Sequence, residues 1–317
     1  MGGRPVNVSF VTPLQQAWGR MERMLFRPFR IETWLVMGFA AFLSEMMSGG
    51  TGGGGTYGSH TGHGGWGRSV GRKAWAFLQD PAMLLLVVVI ASVAIVLAVV
   101  LLWVSCRGRF IFLDNVVRER AAIVEPWGRF ARQGNSLFLW TMLFYVACMV
   151  AALVVALPFL VSLRALWEDG TFHWAGLLSL LGFVAMAVPV AIAAAYTLLF
   201  LNHFVVPIMY RDGLSATAAW GRFLALLRAH PLRFIAYGLL MIVLWLVIGL
   251  AVMMVGFSTC CIGFFLLVLP WVKQVLLLPV LVTIRAFGPQ FLGQFGPEYD
   301  VFATAPAPPV SVPGPAS

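Results

Sequence analysis

The sequence is poor in charge: only 10% of its 317 residues are Asp, Glu, Lys or Arg, where a soluble domain averages about 25%. So few charged side chains cannot clothe a water-soluble core of this size, which excludes an ordinary cytosolic enzyme. Acidic residues are the scarcer kind, 12 against 21 Lys and Arg, so paired carboxylates for general acid–base work are nearly missing. Cysteine is scarce as well. Cys106, Cys148, Cys260 and Cys261 show no disulfide-framework spacing, and in or beside apolar runs they read as small packing residues. The adjacent pair 260–261 is their one unusual arrangement. The Walker sequence, His-Glu-x-x-His and Gly-x-Ser-x-Gly do not occur, which removes the common nucleotide, zinc-protease and serine-hydrolase chemistries. No catalytic, cofactor or metal site is assigned, and the chain leans away from an enzyme. No cleavable signal peptide is expected, because the first apolar stretch begins near Ile31 behind an Arg-containing segment and no small-x-small site follows.

What the chain has is apolar length. Hydrophobic residues make up 61% of it and the mean hydropathy is +0.90, gathered in runs such as Met83–Val104, which only Ser92 interrupts. About 20 apolar residues cross a bilayer core as a helix. The runs predict an all-α integral membrane protein with six spans, near 31–47, 82–104, 137–160, 175–199, 234–257 and 262–284. The first is the shortest and carries Glu32 and Glu45. Sixteen of the 21 Lys and Arg fall on one side of this arrangement, within 1–30, 105–136 and 200–233 and at Arg285. The positive-inside rule makes that side cytoplasmic and places both termini there, in a plasma or inner membrane. The net charge of +9, which in a soluble protein would raise nucleic acid as a partner, is then orienting charge that also attracts anionic lipid headgroups. No nucleic acid is expected. The division is an N-terminal cytoplasmic segment 1–13, a membrane domain 14–288 holding a Gly-rich outer loop at 49–71, and a Pro/Ala-rich cytoplasmic tail at 289–317.

A tripeptide recurs. Trp18-Gly19-Arg20, Trp127-Gly128-Arg129 and Trp220-Gly221-Arg222 are each followed by Met or Phe, where composition predicts far less than one copy by chance. The Trp and the residues three and seven positions on share a helical face, and the Arg points away from it. Each copy predicts a short amphipathic helix in the headgroup region, with Trp as interfacial anchor and Arg toward lipid headgroups. Each is followed by a predicted span, and Arg118 and Arg211 each precede their Trp by nine residues on an extension of the span before. The unit predicts three repeated helical hairpins. A fourth copy, Trp66-Gly67-Arg68, lies in the outer loop without an apolar face. An interfacial Trp-x-x-Phe helix leading through basic residues into a span, duplicated along a polytopic chain, resembles a broad group of bacterial membrane proteins of largely unassigned function. The group includes the membrane domain fused to some glycerophosphodiester phosphodiesterases. The resemblance implies architecture over about 14–288. It supplies no catalytic residues, and no separate soluble catalytic domain accompanies it here.

A few side chains could carry chemistry. The loop at 49–71 contains Gly62-x-Gly64-x-x-Gly67, but neither the strand nor the helix that a dinucleotide site needs. His60 and His63 make only half a metal site. Charged residues inside spans weigh more, because each costs about 2.5–3.5 kcal/mol on insertion scales. Lys273 lies midway along the sixth predicted span between Pro270 and Pro279, and Glu45, near the outer end of the first, could pair with it. Asn202 and His203 sit at the inner end of the fourth, just before Pro207. Ala147/Ala151 and Ala187/Ala191/Ala195 have the spacing of close-packed helix faces. The expected function is a non-enzymatic membrane module, either a permease-like component or an assembly partner, with another membrane protein or a second copy of itself as partner. The alternative is an anionic-lipid-handling protein, with or without enzymatic activity, gripping headgroups through the Trp-Gly-Arg helices.

Overall fold

Leu, Val, Ala and Met fill the apolar runs, and where water is excluded a helix is the conformation that satisfies every backbone N–H and C=O within one segment. A computed structural model describes residues 9–46, 81–169, 174–259 and 269–303. All its regular elements are helical: α1 (Val11–Phe26), α2 (Ile31–Glu45), α3 (Pro81–Arg118), α4 (Val124–Arg129), α5 (Ala131–Asp169), α6 (Trp174–Phe200), a π-helical turn (Leu201–Val205), α7 (Val206–Asp212), α8 (Ala216–Ala229), α9 (Pro231–Ser258), α10 (Pro270–Leu276) and α11 (Leu278–Gly293), then a 3-10 turn (Pro297–Tyr299). Four stretches are long and apolar enough to cross a membrane: Pro81–Arg118, Ala131–Ser162, Leu177–Asp212 and Pro231–Ser258.

α3 and α9 are buried at one end only, whereas α5 and α6 also meet along their apolar lengths, where Phe159 stacks on Phe183 at 4.9 Å. In α3 every residue from 84 to 97 is exposed, whereas Ser105, Cys106 and the run Gly108–Val117 are buried. In α9, Phe234, Tyr237 and Met241 are buried, while Leu246, Leu250 and Met254 are exposed. The core therefore forms a basal layer from the second half of α3, the start of α5, the π turn with α7, the start of α9, and α11. An aromatic cluster occupies its centre. Phe204 lies 4.8 Å from Tyr237, 5.1 Å from Phe234 and 5.3 Å from Phe223 between ring centroids, contacts worth about 0.5–1.5 kcal/mol each beyond burial.

The first and sixth predicted spans look different in three dimensions. α2 has 15 residues, about 22 Å at 1.5 Å per residue, short of the ~30 Å hydrocarbon layer. Its C-terminal end abuts α3 at Ser105 and Gly108: Ser105 Oγ donates to the Ser44 carbonyl at 3.1 Å, and a Cβ on Gly108 would lie 2.7 Å from the Leu43 carbonyl carbon. Because residues 84–97 of α3 are bare on all sides, α2 must run back along the buried second half of α3. The structure thus puts Glu45 beside the basal layer, not at the outer end of a span. The sixth segment is interrupted at Leu277, where α10 gives way to α11 with Pro279 in its first turn. α11 then continues well past Arg285. Phe291 stacks on Phe10 at 5.3 Å, and Phe291, Leu292 and Val301 are fully buried. This corrects the tail expected from residue 289: the stretch to 303 is packed, held by an aromatic face of spacing four (Phe287, Phe291, Phe295).

Candidate functional site

The three Trp-Gly-Arg copies lie in α1, α4 and α8, each a short helix preceding the next element. Met21, Leu25, Phe130 and Phe223 on the predicted apolar faces are buried. Trp18 is exposed, but Trp127 packs edge-on to Trp103 at 6.0 Å and Trp220 stacks on Trp140 at 5.1 Å. The arginines differ too. Arg20 pairs with Glu119 at 3.0 Å, donates to the Val117 carbonyl at 3.2 Å and covers the Phe302 ring. Burial pulls its guanidinium below its ordinary pKa, and Glu119 works the other way. Arg222 pairs with Asp212, and Arg129 is exposed. The copy at Trp66, the loop 49–71 with His60 and His63, and Cys260–Cys261 lie outside the described residues. Among the described residues no three His, Cys, Asp or Glu side chains cluster as a metal site.

The polar site is elsewhere, at the boundary between the basal layer and the bare helical halves. A cavity of about 80 Å³, several times the ~10–15 Å³ one water requires, is lined by Ser44 and Glu45 of α2, Arg109 and Phe112 of α3, Asn202 and His203 of the π turn, Trp245 of α9, and Leu281, Ile284 and Arg285 of α11. Three residues singled out in the sequence, Glu45, Asn202 and His203, meet here. Lys273 is not in the lining, although its charge acts on Glu45. The hydrogen bond to Glu45 comes instead from the next residue, Gln274 Nε2, at 2.8 Å.

Local backbone chemistry explains the π turn. Pro207 has no N–H, so the His203 carbonyl loses its helical donor, and one widened turn absorbs the break. Arg285 caps the opened backbone: it donates to the Asn202 carbonyl at 3.2 Å and the Arg109 carbonyl at 2.6 Å. Gly288 permits this approach, since a Cβ there would sit 2.5 Å from the His203 carbonyl oxygen. His203 Nδ1 is 2.7 Å from the Tyr237 hydroxyl, which fixes the ring against α9.

Sequence reasoning missed Arg109 and Arg285, because both were counted as orienting charges. Arg109 is only 1% exposed, the largest of the fully buried side chains. A signal was present: each sits inside a run of apolar residues, Phe110–Leu113 after one and Ala286-Phe287 after the other. A second charge centre, Asp114, was also missed. It is fully buried and gathers Arg118 at 3.1 Å, Arg120 at 2.8 Å and the Tyr210 hydroxyl at 2.8 Å. The cavity brings two guanidinium groups together with one engaged carboxylate and backbone carbonyls.

Fold and site define an all-α membrane protein with a polar cavity at the foot of its apolar helices. The chain belongs to DUF7544, a family of unknown function, whose model matches residues 8–302. No curated protein and no solved structure matches it.

Proposed function

We propose that this is a non-enzymatic integral membrane protein, an assembly partner in a membrane complex, with the basic basal layer facing the cytoplasm. The observation that carries the reading is the bare upper half. α3 is uncovered on every face from 84 to 97, and Ala191 and Ala195, which have the spacing of a packing face, stand exposed on α6. Small exposed residues let another membrane helix approach closely. The hydroxyl groups speak against a solute path through the upper half. Ser92, Ser162, Thr197, Ser258 and Thr259 each donate to a carbonyl of their own helix three or four residues back, so none is aimed at a passing solute. Sixteen of the 21 Lys and Arg fall within 1–30, 105–136 and 200–233 and at Arg285, an asymmetry that supports a cytoplasmic basal side with the four long helices as spans.

Native mass spectrometry of the full chain, extracted from its own membrane in mild detergent, tests this. A complex of fixed stoichiometry above the 34.7 kDa of one chain is expected, and Val93→Trp with Leu97→Trp on the bare half of α3 is expected to dissociate it. A 34.7 kDa species carrying only lipid would overturn the reading.

A further inference from the structure

The polar cavity has an apolar neighbour. Between α6 and α9 runs a groove of about 230 Å³, walled by Ala195, Tyr196, Leu199, Met241, Ile242 and Trp245. Trp245 lines both spaces, so a charged pocket and a hydrocarbon-like slot meet across one indole. They meet where α9 passes from buried to bare, with Met241 buried and Ile242 exposed. If the bare halves lie in hydrocarbon, that level is the headgroup boundary of the bilayer.

Among the described lining residues two guanidinium groups, Arg285 and Arg109, the latter also hydrogen-bonded with Tyr145, stand with one carboxylate, Glu45. Glu45 already accepts from Gln274. The partners of Arg285 are two carbonyls, which satisfy N–H groups without supplying countercharge. Its Nε and the Asn202 Oδ1 have no hydrogen-bond partner among the described residues. Buried net charge is costly unless an opposite charge reaches it, and a guanidinium matches the oxygens of a phosphate better than any other side chain does.

We propose that the cavity and the groove form a single binding site for an anionic phospholipid. The phosphate lies between Arg109 and Arg285, a headgroup hydroxyl donates to Asn202 Oδ1, and one acyl chain lies along α6 and α9 past Trp245. The Trp-Gly-Arg arginines are not this site, since Arg20 and Arg222 are held by Glu119 and Asp212. The proposal rests on the membrane reading and not on assembly. A 34.7 kDa monomer that retains anionic lipid would overturn the assembly proposal and support this one.

The test uses the full chain, delipidated in detergent and exposed to phosphatidylglycerol, phosphatidylcholine or soluble glycerol 3-phosphate, with bound lipid counted by native mass spectrometry. One phosphatidylglycerol is expected to be retained in preference to phosphatidylcholine. Arg285→Gln is expected to weaken retention about tenfold, the size of one lost charge-assisted contact. Ile242→Trp, at an exposed position where the fold tolerates it, fills the groove and weakens retention of the lipid. It leaves the affinity for glycerol 3-phosphate itself unchanged. If Arg285→Gln does not fold, the Ile242→Trp arm decides alone. Equal retention of the two lipids, or unchanged retention in Ile242→Trp, would overturn the proposal. So would displacement by glycerol 3-phosphate at the same concentration as lipid, which would mark a free-anion site.

Discussion

Helix α3 holds two different proteins end to end. From 84 to 97 it is Leu, Val, Ile and Ala with one Ser92, all exposed. From 105 to 117 it carries Ser, Cys, Arg, Asp and Asn beside its apolar residues, and almost all of it is buried. The more hydrophobic half is the exposed one, the inverse of a protein folded by water. The contrast shows which solvent organises each half. Hydrocarbon is as apolar as Leu, so lipid gives apolar helices no reason to cluster. Where water reaches, apolar surface is driven together, and the basal layer recruits aromatic rings, close glycine contacts and charge centres to complete its packing.

The largest effect that separates the halves should come from truncating one apolar side chain in each. Phe204→Ala removes the ring at the centre of the basal cluster and is expected to cost about 3–5 kcal/mol. Val93→Ala on the bare half of α3, 62% exposed, is expected to change stability by less than ~0.5 kcal/mol. Thermal unfolding of both variants in the same detergent checks this, and comparable losses would erase the distinction.

That distinction also explains what the sequence made legible. The predicted spans 82–104, 137–160, 175–199 and 234–257 lie within α3, α5, α6 and α9, because length and hydropathy suffice where lipid is the partner. α2 was not legible. Its mostly apolar fifteen residues read alike whether lipid or protein covers them, and the contacts of its C-terminal end with Ser105 and Gly108 show that protein does. Asn202 and His203 stood out as polar residues at the end of a run, and both line the cavity. Arg109 and Arg285 did not, since a charge count by segment treats every arginine as a loop residue. α3 simply continues as one helix past its apolar run and carries Arg109 into the interior. Asp114 was hidden in the same way, its ligands coming from the following turn and from α7, nearly a hundred residues away at Tyr210.

A smaller effect sharpens the role of charge in the basal layer. Asp114→Asn keeps the shape of the side chain, and one oxygen still accepts from Tyr210, but the charge facing Arg118 and Arg120 is gone. Hydrogen bonds to charged groups contribute about 1.5–3 kcal/mol, and a loss of that order is expected in thermal unfolding. An equal loss in a variant lacking both Arg118 and Arg120 would show that burial of the carboxyl matters and its pairing does not.

The smallest effect belongs to the same arginine at the surface. Arg120 donates to Glu125 at 2.8 and 3.2 Å, and this hydrogen bonding is the chief cause holding the Glu125 carboxyl below its ordinary 4.5. A carboxylate whose pKa is depressed in the folded state adds stability that is fully present above the ordinary value. That stability disappears as pH falls through the lowered one. Glu125→Gln should therefore melt slightly below the parent at neutral pH, and the two curves should converge in acid below 4.5. Because Glu125 is solvent-exposed, water and salt screen the pair, so the gap at neutral pH should also shrink in high salt. A gap that widened in acid, or ignored salt, would mean that the α3–α4 turn depends on Glu125 through packing. Arg120 would then not be serving one buried and one exposed carboxylate by the same chemistry at two very different strengths.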